Sequence, residues 1–285
     1  MISYQHDVHV ASSREAVGLL ALGPAFVAAS LAAFAGEHFT AASTIAAIVP
    51  KWLPAPLFIA YLVGVAHLAA ATSFVAKRLV RWAALCLAIM FALFVLLMDL
   101  PGAISHPAAR INWSLAARET TFSIGALALF AMDARSRWPG LSKVIVVIAR
   151  LWTAGVLVFY GLENVLYPQY SPGVPDLIPA PSWIPLPIVV ASVTGLLLIA
   201  FGLAMLVERY AAGAAAASGW LMVVLTVTLY VPQLFIARDV STHVLALNFI
   251  FDTLLFGGMM LVVGRAIWDG RTSVTRETWR VARDP

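Results

Sequence analysis

Glu37 and His38 close one apolar run, Asp99 closes another, and Arg118 with Glu119 lies at the start of a third. Ionisable groups at such positions are costly in a bilayer and mark functional sites by default. A carboxylate and an imidazole can exchange protons while a guanidinium orients charge, which is the chemistry a quinone headgroup or a small anion requires. The second half of the chain offers Glu163, Asn164, Asn248 and Asp252, the last two at i, i+4 on one helical face. Tyr230, Gln233, Arg238, Asp239 and His243 lie in the same half. The first-half set has a histidine and a glutamate where the second has Asn164 and Asp252, so the first is the better equipped. The same residues also suit a plainer role, an interhelical clamp in which Glu37 or Glu119 pairs with Arg118.

Other chemistries find little footing. Glu37, His38, Asp99 and His106 carry metal-ligand atoms, but neighbouring helical residues point apart and no HxxxH or HxxE spacing occurs, so no metal site is expected. His67, in "GVAHLAA", has no second axial histidine at its depth and Leu198 at the matching place in the other half, so it reads as a packed core histidine rather than a haem ligand. The single cysteine, Cys86, excludes an internal disulfide, a CxxC pair and a cysteine-ligated cluster, and is expected to be an inert buried thiol. P-loop, GxGxxG, GxSxG and HExxH patterns are absent. No catalytic residue is therefore assigned, no intrinsic cofactor is expected, and the candidate ligands are a quinone or a small anion.

The elements that must position these groups follow from composition. The chain is 62% hydrophobic and 11% charged, with a mean hydropathy of +0.92, too apolar for a water-soluble domain. Runs near residues 15–35, 54–76, 82–100, 116–132, 144–162, 184–206, 219–237 and 244–264 are each close to the roughly 20 residues a bilayer-crossing helix needs. They are continuous rather than alternating, which favours helices over a barrel. The expectation is an all-α polytopic membrane protein with eight transmembrane helices.

Placing successive loops on alternate sides puts 14 of the 18 Lys and Arg on one side, including Arg14, Lys77, Arg78, Arg81, Arg135, Arg137, Lys143, Arg150, Arg209 and the tail arginines. Lys51, Arg110, Arg118 and Arg238 fall on the other. By the positive-inside rule both termini are cytoplasmic, in a bacterial-type inner membrane. The net charge of +4 then reflects membrane topology, and no nucleic-acid partner is expected. The "AFA" ending the first run resembles a signal-peptidase site, but little positive charge precedes it and cleavage is not expected.

A proline-tryptophan spelling occurs twice. Pro50, Trp52, Pro54 and Pro56 in "VPKWLPAP" recur 131 positions later as Pro181, Trp183, Pro185 and Pro187 in "APSWIPLP". At the same shift Gly64 meets Gly195, Arg78 meets Arg209 and Pro101 meets Pro232. Upstream, a shift of 126 sets "GEHF" on "LENV"; downstream, a shift of 133 sets "RETTF" on "FDTLL". Two units of four helices in parallel orientation follow. The expected division is a segment 1–14, a first unit 15–132, a polar linker 133–143, a second unit 144–264 and a basic tail 265–285, in which Trp268 and Trp279 among arginines suit an interfacial anchor or a disordered tail rather than a binding module. The repeated motif reads as a structural device: Pro at a helix start, Trp at interfacial depth.

"EHF" at the end of the first helix, "VPKWLPAPLFIAYLVGV", the "KR" turn, "DLP" closing the third helix and "RE" in the fourth together resemble the DoxX-like membrane protein family. The second unit resembles it more loosely, through "GLENVLYP", "PSWIPLP" and Pro232. The resemblance implies a tandem version of a four-helix fold. It also implies a likeness to the membrane subunit of thiosulfate:quinone oxidoreductase, hence a membrane subunit linked to redox partner proteins, with lipid around it. Two rival roles stay open, a small-solute transporter and a noncatalytic scaffold or assembly protein; small-residue faces such as "AAFAG" and "GAAAASG" favour close helix packing without choosing among the three.

Overall fold

A computed structural model describes residues 18–174 and 179–281, and the backbone alone at 240, 241 and 273–281. The segment 1–14 with its Arg14, and the side chains of Arg276, Trp279, Arg280 and Arg283, lie outside the described residues. Among the described residues eight helices are long and apolar enough to cross a membrane: α1 (Gly18–Thr40), α2 (Pro56–Ala76), α3 (Val80–Ser105), α4 (Arg110–Ala134), α5 (Pro139–Leu166), α6 (Pro187–Leu206), α7 (Glu208–Ile236) and α8 (Thr242–Thr272). Among the described residues the only β pairing is an isolated bridge between Tyr170 and Pro179. The protein is an all-α, multi-pass membrane protein. In hydrocarbon a backbone must satisfy its own polar groups, and the helix does so without a neighbour. The same demand carries α4 and α7 several residues past the apolar runs, through Arg110 and Glu208.

The repeated motif folds alike in both places. Leu53 N–H donates to Pro50 O and Ile184 N–H to Pro181 O, so each copy makes a tight turn. The residue before each helix-starting proline, Ala55 at φ 51° and Leu186 at φ 48°, is left-handed. Such a conformation costs roughly 1–2 kcal/mol outside glycine. The copies differ in burial: Trp52 is 65% exposed, whereas Trp183 packs against the core. Pro101 and Pro232 also act alike. Each lacks an N–H and crowds the carbonyl four residues back, and just ahead of each the helix widens into a π turn, Val95–Asp99 in α3 and Thr226–Tyr230 in α7.

Neighbours in sequence pack as pairs, α1 on α2, α3 on α4, α5 on α6 and α7 on α8. Between the halves the packing crosses: α1 lies along α8, and α4 lies along both α5 and α8. α1 and α4 make little contact, so the first four helices do not close into a bundle of their own, as a two-bundle reading would require. Small residues permit the crossings. A Cβ on Gly23 would lie 3.0 Å from Gly258 O, where α1 meets α8. A Cβ on Gly195 would lie 2.6 Å from Gly161 O, where α6 meets α5. The faces singled out in sequence contribute unevenly, since Gly36 and Gly213 have nothing within 4 Å of a built Cβ, while Gly219 sits against Gly257. Cys86 is exposed on the outer face of α3, which corrects the expectation of a buried thiol.

Gly195→Ala is expected to force α5 and α6 apart and to cost about 1–3 kcal/mol, the usual penalty for overpacking. Gly213→Ala, in open space, should gain up to about 1 kcal/mol of helix propensity. Thermal unfolding of the two variants in micelles separates them; equal midpoints would contradict the packing described.

Candidate functional site

Residues 37 and 38 are successive on α1 and therefore leave the helix about 100° apart. Glu37 faces α8, where its Oε2 accepts a hydrogen bond from Asn248 Nδ2 at 3.0 Å. His38 faces α2, where Gly64 leaves room: a Cβ there would lie 2.8 Å from His38 Cβ. The two residues thus serve different places.

One turn along α8 from Asn248, Asp252 Oδ2 meets Arg118 Nη1 of α4 at 3.0 Å. Arg118 is 8% exposed and Asp252 7%, so this is a buried ion pair joining the halves. Glu119 lies 3.9 Å from Arg118. Asp99, on the π turn of α3, is within electrostatic reach of Arg118, and Glu37 is within reach of Asp252. Glu37 Oε1 and Asp99 Oδ2 are buried without a hydrogen-bond partner among the described residues. Three carboxyl groups, of Asp99, Glu119 and Asp252, therefore gather near a single guanidinium, and that of Glu37 lies within reach of Asp252. Between Arg118, Asp252 and Tyr230 a cavity of about 10 Å³ remains, room for about one water.

The larger opening lies beside this cluster. A cleft of about 450 Å³ runs between α3, α4 and the loop after α1, with Pro50 and Trp52 at its mouth and Asp99, His106 and Asn112 among the apolar Leu97 and Leu115. Asn112 Nδ2 donates to Gly102 O, tying α4 to the end of α3. Asp99 belongs to both places: it lines the cleft and feels Arg118.

The residues read from sequence therefore fall into different groups. Glu37, Arg118, Glu119, Asn248 and Asp252 come together, mixing the two halves, and Glu37 bonds Asn248 rather than Arg118. Asp99 joins the Trp52 cleft. Glu163 does not face the cluster; it pairs with Arg110 of α4, whose Nε donates to Oε2 at 3.1 Å and whose guanidinium stacks on Tyr167. Asn164 is a loop clamp: Nδ2 donates to Gly173 O and Oδ1 accepts from Gly173 N–H, both at 2.9 Å. Arg110 was legible only as an isolated basic residue, because its partner lies 53 positions away. His67 is 3% exposed, packed between the Phe34 and Phe91 rings, with the His38 ring edge-on at 5.2 Å. A second histidine, His38, thus stands beside it, where none was expected from the sequence. Among the described residues no three His, Cys, Asp or Glu side chains converge on a metal position.

The class defined by this geometry is an eight-helix membrane protein with a buried charge cluster across its halves and an open cleft beside it. Comparison with protein-family models, with curated proteins and with solved structures finds no match for this chain.

Removing one member of a buried pair strands the other charge, at a cost of about 3–5 kcal/mol. Arg118→Gln or Asp252→Asn alone is expected to lose that much stability, while the double variant recovers part of it. Arg110→Gln, whose pair is more exposed, should lose less. Chemical unfolding of the four variants in micelles measures the order.

Proposed function

We propose that this protein is the integral membrane subunit of a redox-linked system and that it contacts a quinone in the Trp52 cleft. The observation that carries the reading is the cleft's lining: Asp99, His106 and Asn112 set among apolar side chains, beneath a Pro50–Trp52 mouth. A few convergent polar groups on an apolar wall are what an amphipathic ring ligand needs. Asp99 can exchange a proton with a bound headgroup, and the Arg118 cluster behind it offers further carboxyl groups to take that proton onward. The resemblance to the DoxX-like family points the same way.

On this reading the chain is two fused four-helix units with exchanged packing partners. The recurrence of the left-handed residue, the proline start and the π turn at one shift supports it. The skewed distribution of Lys and Arg supports a bacterial inner membrane with both termini cytoplasmic. A solute pathway between the units has less support, because Arg118–Asp252 and the contact of Gly125 with Met259 fill the seam of α4 and α8.

The test is labelling of the reconstituted full chain with a photoreactive quinone analogue. Label should map to residues 97–115 and be displaced by unlabelled quinone. Asp99→Asn and Trp52→Ala should each weaken binding about 10-fold, ~1.4 kcal/mol. Labelling that quinone does not displace would overturn the proposal, and solute movement by the chain alone would favour the transporter.

A further inference from the structure

At the opposite end of the bundle, Arg81 and Arg137 both stack on one indole. The Arg81 guanidinium carbon lies 5.5 Å from the Trp138 ring centroid and that of Arg137 lies 5.4 Å from it. Arg81 also covers Trp82 at 5.1 Å, and Trp138 is held from beneath by Phe130, stacked at 6.1 Å. The platform joins the turn between α2 and α3 to the turn between α4 and α5.

Neither arginine has a carboxylate partner among the described residues. Asp133, four residues before Arg137, forms no ion pair with it, and Arg81 Nε is buried without a hydrogen-bond acceptor. Lys77 and Arg78 stand exposed in the same α2–α3 turn. Three other cations at this end are engaged: Arg265 pairs with Asp269, Arg135 donates to Ala266 O and Arg271 to Arg209 O. Stacking on indole holds the two free guanidinium groups in place while leaving their donors open.

What they face is set by their surroundings. Val75, Leu79, Leu141 and Val144, in the same two turns and the adjoining ends of α2 and α5, are each more than half exposed. Trp82 and Trp138 are 50% and 38% exposed. Paired cations with open donors, half-exposed indoles and exposed aliphatic side chains together match a phosphate bearing acyl chains. We propose that Arg81, Arg137 and Trp138 form a binding site for the headgroup phosphate of an anionic phospholipid, whose chains lie along α2 and α5. The proposal is independent of the quinone cleft, which opens at the other end of the helices.

The experiment is native mass spectrometry of the full chain in mild detergent, titrated with palmitoyl-oleoyl phosphatidylglycerol or with the matching phosphatidylcholine. The wild type should retain the anionic lipid about 10-fold better. Arg81→Gln and Arg137→Gln should each reduce that preference and the double variant abolish it. Arg209→Gln, which removes an arginine stacked on Tyr210 at the same end, should leave it unchanged. Equal retention of both lipids by the wild type would overturn the site without need of any variant. Equal loss in Arg209→Gln would reduce it to general surface charge. Displacement of the lipid by millimolar glycerol phosphate would show a site for free phosphate instead.

Discussion

A guanidinium on a helix surrounded by hydrocarbon must find a counter-charge, and Arg118, 3.9 Å from Glu119 of its own half, pairs across the halves with Asp252 at 3.0 Å. The pair sets α4 against α8. Asn248, one turn away on the same face of α8, then meets Glu37, which sets α8 against α1 as well. With the Gly23–Gly258 approach along the same seam, two polar contacts and one backbone contact make α8 the axis of the molecule. α8 is accordingly the most buried of the spanning helices.

Around that axis the halves are stitched in a second place. Arg110 reaches Glu163, Tyr160 O–H donates to Ser114 O and Trp152 Nε1–H donates to Thr121 Oγ1, all between α4 and α5. Lipid offers no hydrophobic drive for helices to associate, so hydrogen bonds, ion pairs and close backbone contact must supply the attraction. That is why polar contacts such as Arg118–Asp252, Asn248–Glu37 and Arg110–Glu163 stand at the crossings between halves, and why a cluster of mixed parentage stands beside the cleft.

Much of the architecture was legible residue by residue. Length and apolarity dictate eight helices, because only a self-bonded backbone tolerates hydrocarbon. Pro56 and Pro187 mark helix starts, whereas Pro101, read as closing the third helix, follows a π turn in a helix that continues to Ser105. Less legible were the roles of Asn164 and Glu163. Their types suggested a site, but one clamps the Gly173 turn and the other closes an arginine pair. Side-chain type restricts the bonds a residue can make and leaves open which partner the fold delivers.

The sequence by itself determined that the chain forms eight apolar helices and that prolines start α2 and α6, since each depends on local propensity and on the bilayer as solvent. Tertiary structure alone decided that α1 lies on α8, that Glu37 and His38 face different neighbours, and that Arg118 answers to Asp252. Those outcomes depend on which backbones can approach closely enough for a polar group to be satisfied, a property of pairs of helices that no single stretch of residues encodes.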